Sequence, residues 1–215
     1  MKDLVLLSGW GFDHRVWQPI ADRLANDFRI GYELASVPAG AIVCGWSLGA
    51  MRALKSVVAA RLAKLVLVGA TARFVQAPDW PAGQPPALLE SFTTAVAADP
   101  LAALRRFAAL LNQGDDRARE LTRQLTALTA PDTATLTAGL AELRDTDLRK
   151  SVTAVRLPTL VVHGEHDALM PLAAGRWLAE HLPAARLEIF AGAAHAPFLS
   201  QPDRFVALLR EFADA

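Results

Sequence analysis

Three short stretches of this 215-residue chain, "AIVCGW" at 41–46, "LVLVGA" at 65–70 and "TLVVHG" at 159–164, are apolar almost from end to end. A strand exposed on one face alternates apolar and polar residues. A run without alternation must be covered on both faces, as in the middle of a parallel sheet. Parallel neighbours cannot be joined by a tight turn and need crossovers, usually helical. Helical candidates do separate the runs, at about 15–26, 48–61, 171–181 and 202–213, and further strand candidates stand at 4–8, 28–34 and 186–190. Pro171 and Pro202 fall where a first helical turn would begin, a place that suits proline. The expected class is α/β, a mostly parallel sheet flanked by helices with right-handed crossovers.

The rhythm breaks between about Gln76 and Leu157, where no strand-like run occurs. The segments "PALLESFTTAVAA", "DPLAALRRFAALLNQG", "DDRARELTRQLTALT" and "PDTATLTAGLAELRD" read as helices, with starts at Asp99-Pro100 and Pro131-Asp132 and a stop at Gly114. Such a stretch is too long for an ordinary loop. It predicts a helical lid subdomain at 76–154, inserted in a core made of 1–75 and 155–215.

Hydrophobic residues make up 53% of the chain, enough to bury a substantial core. Lys+Arg and Asp+Glu are equal at 22 each, so no global field draws the chain to nucleic acid or to an anionic membrane. One cysteine, Cys44, excludes an internal disulfide. The N-terminus lacks the pattern of a signal peptide, and no apolar run reaches the ~18 residues of a membrane span. A cytoplasmic monomer is expected. Metal-ligand spacings are absent, and no metal or cofactor is expected.

The chemistry gathers at strand ends. In "VCGWSLGA" (43–50) Ser47 stands between Gly45 and Gly49 at G-x-S-x-G spacing, after an apolar run and before a helical one. A sharp strand-to-helix turn needs such glycines and holds the serine hydroxyl out at the carboxyl edge of the sheet. Alone, the motif also fits a plain turn. A serine needs a base, and the base an orienting acid. Asp167 in "VVHGEHDALMP" and His195 in "AGAAHAPFLSQP" follow in chain order, each after a strand, on the edge where open α/β sheets bind ligands. His163, Glu165 and His166 compete with Asp167 locally. His163 belongs to the strand and reads as packed or hydrogen-bonded there, Glu165 and His166 as solvated turn residues. The N–H of Leu48, at a helix start, faces the site of a developing oxyanion. The glycine-rich turn "LLSGWGFD" offers a second donor, the N–H of Trp10, whose indole either borders the pocket or fills the core. Cys44 reads as a small buried residue.

Taken together, "GWG", "GWSLGA", "GLAELRDTDLR" (139–149), "GEHDALMP" and "AAHAPFLSQP" resemble the α/β-hydrolase family, and within it the pimeloyl-acyl-carrier-protein methyl ester esterases of biotin synthesis. The resemblance runs from about Leu4 to the C-terminal helix. It implies an α/β-hydrolase fold with Ser47 as nucleophile, Asp167 as orienting acid, His195 as general base, and Trp10 and Leu48 at the oxyanion and substrate site. It further implies acyl-chain contacts for Phe107, Ala108, Ala109, Leu110 and Leu111, and docking of an acidic carrier protein by Arg106, Arg119 and Arg123. A buried helix face for the first set and a solvated face for the second are the plain alternatives. Function classes that share the triad are a carbon–carbon bond hydrolase and a cofactor-free haloperoxidase. A trimmed, non-catalytic binding protein is the remaining one.

Two features depart from the family's pattern. The usual leading strands are missing, and Ser8 replaces a histidine common before the first glycine. The strands at 28–34 and 41–46 are joined only by "ASVPAG", where a crossover helix is usual. Six or seven extended residues reach ~20–25 Å, so a shortened or reoriented strand and a more open site are expected there.

Overall fold

The computed structural model describes residues 1–56, 61–128 and 132–215. Its centre is a six-stranded sheet of β1 (Lys2–Leu7), β2 (Phe28–Gly31), β3 (Ile42–Trp46), β4 (Lys64–Val68), β5 (Thr159–Gly164) and β6 (Ala185–Phe190). The order is β2-β1-β3-β4-β5-β6, and every neighbouring pair is parallel. The three unbroken apolar runs form β3, β4 and β5, which lie inside the sheet and are buried along nearly their whole length. The two edge strands are only partly covered and carry charges along their length, Arg29 in β2 and Arg186 and Glu188 in β6, whereas β1 and β4 hold theirs only at their starts, Lys2, Asp3 and Lys64.

Helix α1 (Gln18–Leu24) links β1 to β2 and packs against the C-terminal α9 (Pro202–Asp214). Helix α2 (Leu48–Ser56) links β3 to β4, and α7 (Leu172–His181) links β5 to β6. The first crossover steps one way along the sheet and the later ones the other, so right-handedness sets α1 and α9 on one face, α2 and α7 on the opposite one. Between β1 and β3 the direction reverses, which opens a crevice at their carboxyl ends.

The helix expected at 15–26 begins as a 3-10 turn, His14–Trp17. Of the helix expected at 48–61, positions 57–60 lie outside the described residues, as does Pro131. Pro171 is the residue before α7 rather than its first. The strand expected at 28–34 ends at Gly31, which frees residues 32–41 for the link to β3. The link must step over β1, roughly two strand spacings of ~4.8 Å, and return along the strand. Surrendering three residues supplies the length. No helix forms in this link. A 3-10 turn at Leu34–Ser36 stands there instead, with Tyr32, Leu34 and Val37 packed against the core.

Between β4 and β5 come α3 (Pro86–Ala98), α4 (Pro100–Leu111), α5 (Ala118–Thr126) and α6 (Thr133–Asp145). Asp99 and Asp132 cap α4 and α6 by accepting the N–H of Ala102 and Thr135. Gly114, at φ 88°, takes the left-handed conformation that ends α4's exit turn. Helix α3 packs on α4 and α6, and α4 on α5. The segment leaves and returns at one place, where Arg73 and Asp147 form an isolated antiparallel bridge and the Leu148 N–H donates to the Ala72 carbonyl at 2.8 Å.

Candidate active site

Ser47 has φ 57°, and it is the one non-glycine residue among those described with a left-handed backbone. That conformation costs of order 1–3 kcal/mol and persists only when its surroundings over-determine it. They do so here. A Cβ at Gly45 would meet the carbonyl oxygen of Gly49 at 2.5 Å, and a Cβ at Gly49 would collide with the carbonyls of Leu7 and Ser8. Both glycines are thus demanded by main chain against main chain. The Ser47 N–H donates to the Val68 carbonyl at 2.9 Å, while its own carbonyl accepts from Ala50 and Met51 and starts α2.

Asp167 and His195 meet beside this turn. His195 Nδ1 lies 2.7 Å from Asp167 Oδ2, both side chains fully buried. The other carboxylate oxygen, Oδ1, accepts the N–H groups of Leu169 at 3.0 Å and Met170 at 2.8 Å. Burial would raise the Asp167 pKa, but the adjoining His195, His163 and the Met170 N–H outweigh it and hold the carboxyl below its ordinary value. An ionised acceptor there fixes the His195 proton on Nδ1, so Nε2 carries the lone pair. Nε2 is buried and has no hydrogen-bond partner among the described residues. A Cβ at Gly69 would lie 3.0 Å from His195 Nδ1, so the ring rests on the residue that follows Ser47's own partner, Val68.

The local competitors take other places. His163 is fully buried in β5, its Nε2 donating to the Met170 carbonyl at 2.6 Å, and burial lowers its pKa. Glu165 and His166 are exposed, with Glu165 accepting the Gly192 N–H.

Trp10 and Leu48 flank the turn from two sides. Neither main-chain N–H has an acceptor among the described residues. The Trp10 indole is buried, its Nε1 donating to the Leu136 carbonyl of α6 at 2.8 Å, and Gly139 of α6 leaves the space it occupies. A cavity of about 370 Å³ opens next to them at the crevice between β1 and β3. Gly9, Trp10, Phe12, Leu48 and Leu136 line it together with the polar side chains of His14, Tyr32, Glu33 and Arg52. Tyr32, Glu33 and Leu34 belong to the helix-free link, so the shortened connection does form a wall of this opening.

A profile of the alpha/beta hydrolase family matches residues 29–208. The chain belongs to the alpha/beta hydrolase family. A protein of Aromatoleum aromaticum named pimeloyl-(acyl-carrier protein) methyl ester esterase is 39% identical over 244 positions, covering 97% of each chain. Its namesake in Nitrosomonas europaea is 36% identical over 95% of this chain and 93% of its own. Both alignments run over more positions than this chain has residues, so each relative carries internal segments that this hydrolase lacks. Among solved structures, an esterase from Exiguobacterium antarcticum superposes with a TM-score of 0.89 at 21% identity, over 100% of this chain and 92% of that one. A bromoperoxidase from Bacillus anthracis follows at 0.85 and 22%, over 100% and 93%. At such identities these structures speak for the fold.

The remaining sequence candidates of this hydrolase lie on α4 and α5. Neither Ser47 nor His195, nor any residue from Phe107 to Leu111, lines the cavity of about 370 Å³. Phe107 packs edge-on against Trp10, ring centres 4.8 Å apart, and Leu111 offers its carbonyl to the His195 N–H at 3.1 Å. Ala108 is buried, Leu110 half-buried and Ala109 exposed. Arg106 lies over the Phe92 ring, while Arg119 and Arg123 project from α5 without an ion pair among the described residues. Two of the acids that flank them in sequence are engaged elsewhere. Asp115 is buried, and Glu120 pairs with Arg117 at 2.6 Å.

Two residues of the site stand outside the sequence candidates. Trp46 donates its Nε1–H to the His195 carbonyl at 2.8 Å. Asp115 accepts the Ala194 N–H at 2.9 Å and the Ser200 hydroxyl at 3.0 Å. The tryptophan preceding the serine in "GWSLG" was a usable clue, whereas an aspartate after Gly114 looks like an ordinary helix start.

Proposed function

We propose that this hydrolase is a serine carboxylesterase with Ser47, His195 and Asp167 as its catalytic triad. The observation that carries the reading is the His195 ring, pinned through Nδ1 to Asp167 at 2.7 Å, with its unpartnered Nε2 buried beside the strained serine turn. Ser47 Oγ attacks the ester carbonyl as His195 Nε2 takes its proton, and Asp167 stabilises the resulting imidazolium. The tetrahedral oxyanion accepts the N–H groups of Trp10 and Leu48, the second at the positive end of α2. Collapse expels the alkoxide, which leaves as the alcohol with the proton held on Nε2. A water then attacks the acyl-enzyme with His195 again as base, and the acid departs.

The substrate proposed is the methyl ester of a pimeloyl group on acyl carrier protein, which yields methanol and the free carboxylate. The support is the name borne by relatives aligned over nearly the whole chain. Residues 76–154 serve as the lid, and the unpaired Arg119 and Arg123 on α5 offer a docking face to an acidic carrier. A fluorophosphonate probe tests the nucleophile: it should label the wild type and not Ser47→Ala, whose turnover of p-nitrophenyl acetate should drop by several orders of magnitude. Equal labelling of the variant overturns the assignment. Complementation of a biotin-requiring bacterial strain that lacks this esterase step tests the substrate, with Ser47→Ala as control.

A further inference from the structure

We infer that the α4–α5 connection, residues Leu111 to Arg117, positions His195, with Asp115 as its central positioning residue. This rests on the reading of His195 as the general base. The loop that carries His195 is not shaped by the sheet alone. From the core it is held by Trp46 Nε1 on the His195 carbonyl at 2.8 Å and by the His166 N–H on the Ala193 carbonyl at 2.9 Å. From the other side every grip comes from the lid connection. The Leu111 carbonyl accepts the His195 N–H at 3.1 Å, and the Asp116 N–H donates to the Gly192 carbonyl at 2.9 Å. Arg117 Nη1 donates to the carbonyls of Leu199 at 3.0 Å and Ser200 at 2.8 Å, in the short helix α8 (Pro197–Ser200) that follows the histidine.

Asp115 joins these grips. Its Oδ2 accepts the Ala194 N–H at 2.9 Å, and its Oδ1 accepts the Ser200 hydroxyl at 3.0 Å and the Arg117 N–H at 2.8 Å. It is buried, at 7% exposure, and its donors span the histidine on both sides. An unpaired carboxyl at such a place would be costly, so the three donors must stay together. The consequence is geometric. The Asp167 contact sets which way the imidazole faces, whereas the main-chain position from which it reaches Ser47 is shared among Trp46, the Glu165–His166 turn and the lid connection. A displacement of about 1 Å at a reacting group is enough to cost ~10²-fold in rate. Helix α5, with Arg119 and Arg123, continues directly from this connection, so a partner bound there would touch an element that holds the base.

Two variants of the full chain test the inference, Asp115→Asn and Arg117→Ala. The amide of the first cannot serve all three donors, because its NH₂ group faces one of them. The second removes the grip on Leu199 and Ser200 at a partly exposed residue. Reactive serine is counted by exhaustive fluorophosphonate labelling, and kcat and KM for p-nitrophenyl acetate are expressed per labelled site. Asp115→Asn should label completely but slowly, with kcat per site lowered ~10- to 100-fold and KM changed less than about twofold. Arg117→Ala should lower kcat several-fold in the same manner. Wild-type kcat per labelled site in both variants overturns the inference, even if thermal stability falls, for then the connection only supports the fold. If Asp115→Asn does not fold, Arg117→Ala decides by the same criterion. Failure of the esterase reading looks different: the wild type itself escapes labelling, or Ser47→Ala turns over equally.

Discussion

Replacing Asp167 by asparagine should disable the enzyme while leaving it folded, and the reason lies in which oxygen is which. Oδ1 accepts two main-chain N–H groups, from Leu169 and Met170, and Oδ2 faces His195 Nδ1 at 2.7 Å. An amide must keep its oxygen at the first position. The flipped orientation would set its NH₂ group against two donors and leave them unsatisfied, at about 1–3 kcal/mol each. In the favoured orientation NH₂ occupies the second position and donates to Nδ1. The imidazole proton then sits on Nε2, where a base needs its lone pair. The same substitution in another Ser-His-Asp triad costs ~10⁴-fold in kcat, which at 1.36 kcal/mol per decade is about 5.4 kcal/mol of transition-state stabilisation. Loss of one charge-assisted hydrogen bond should cost only about 1.5–3 kcal/mol of stability. Hydrolysis of p-nitrophenyl acetate and a melting curve, both on one preparation, measure the two effects. A folded Asp167→Asn variant that loses less than ~100-fold in kcat would refute the reasoning, since the tautomer of His195 would then be set by something other than Asp167.

Ser47→Gly should be more stable than Ser47→Ala by about 1 kcal/mol in urea unfolding, because glycine adopts φ near 57° without strain and alanine does not; equal midpoints would remove the strain from the turn. Cys44 is fully buried, and burial pushes its thiol pKa far up, so iodoacetamide at pH 8 should leave the native chain unmodified and label it only in denaturant. Arg119→Glu combined with Arg123→Glu should raise KM for a carrier-linked ester and spare small esters, and an equal effect on both substrates would assign the arginines to lid structure instead. Asp147, hydrogen-bonded to Arg149 and Arg73, has its pKa held below the ordinary carboxylate value, so its stabilisation is present at neutral pH and fades as pH falls through the range below ~4. The stability gap between wild type and Asp147→Asn, measured by urea midpoints, should therefore close toward pH 2.

How much of this was legible in the chain depends on how local each signal is. The runs that became β3, β4 and β5 announce themselves because a doubly covered strand has no polar face to alternate. The edge strand β2 was read three residues too long, because "GYEL" is compatible with extended backbone and only the distance across β1 forces it to leave the sheet at Gly31. Ser47 was readable from its two glycines, whose need is a matter of contacts within a few residues and one neighbouring strand. Asp115 was not, since the two donors that tie it to the His195 loop lie about 80 positions away, at Ala194 and Ser200. Nor does an apolar helix face say what it covers. The Phe107 to Leu111 stretch fits an acyl-chain lining and a buried face equally well by pattern, and Phe107 rests its ring on Trp10.

The helix-free link between β2 and β3 also governs how the molecule comes apart. Strand β2 is four residues long, is paired to β1 alone, and is followed by a 3-10 turn where a full helix would otherwise clasp the sheet. Its release would break one short ladder and leave β1 and β3 to β6 joined around the Ser47 turn. Opening of this margin is thus a small, separate event on the free-energy scale, well below global unfolding. In thermodynamic terms the sheet is a five-strand cooperative block with a detachable selvage, and amide exchange should rank Ile30 and Gly31 far ahead of Val43 and Cys44.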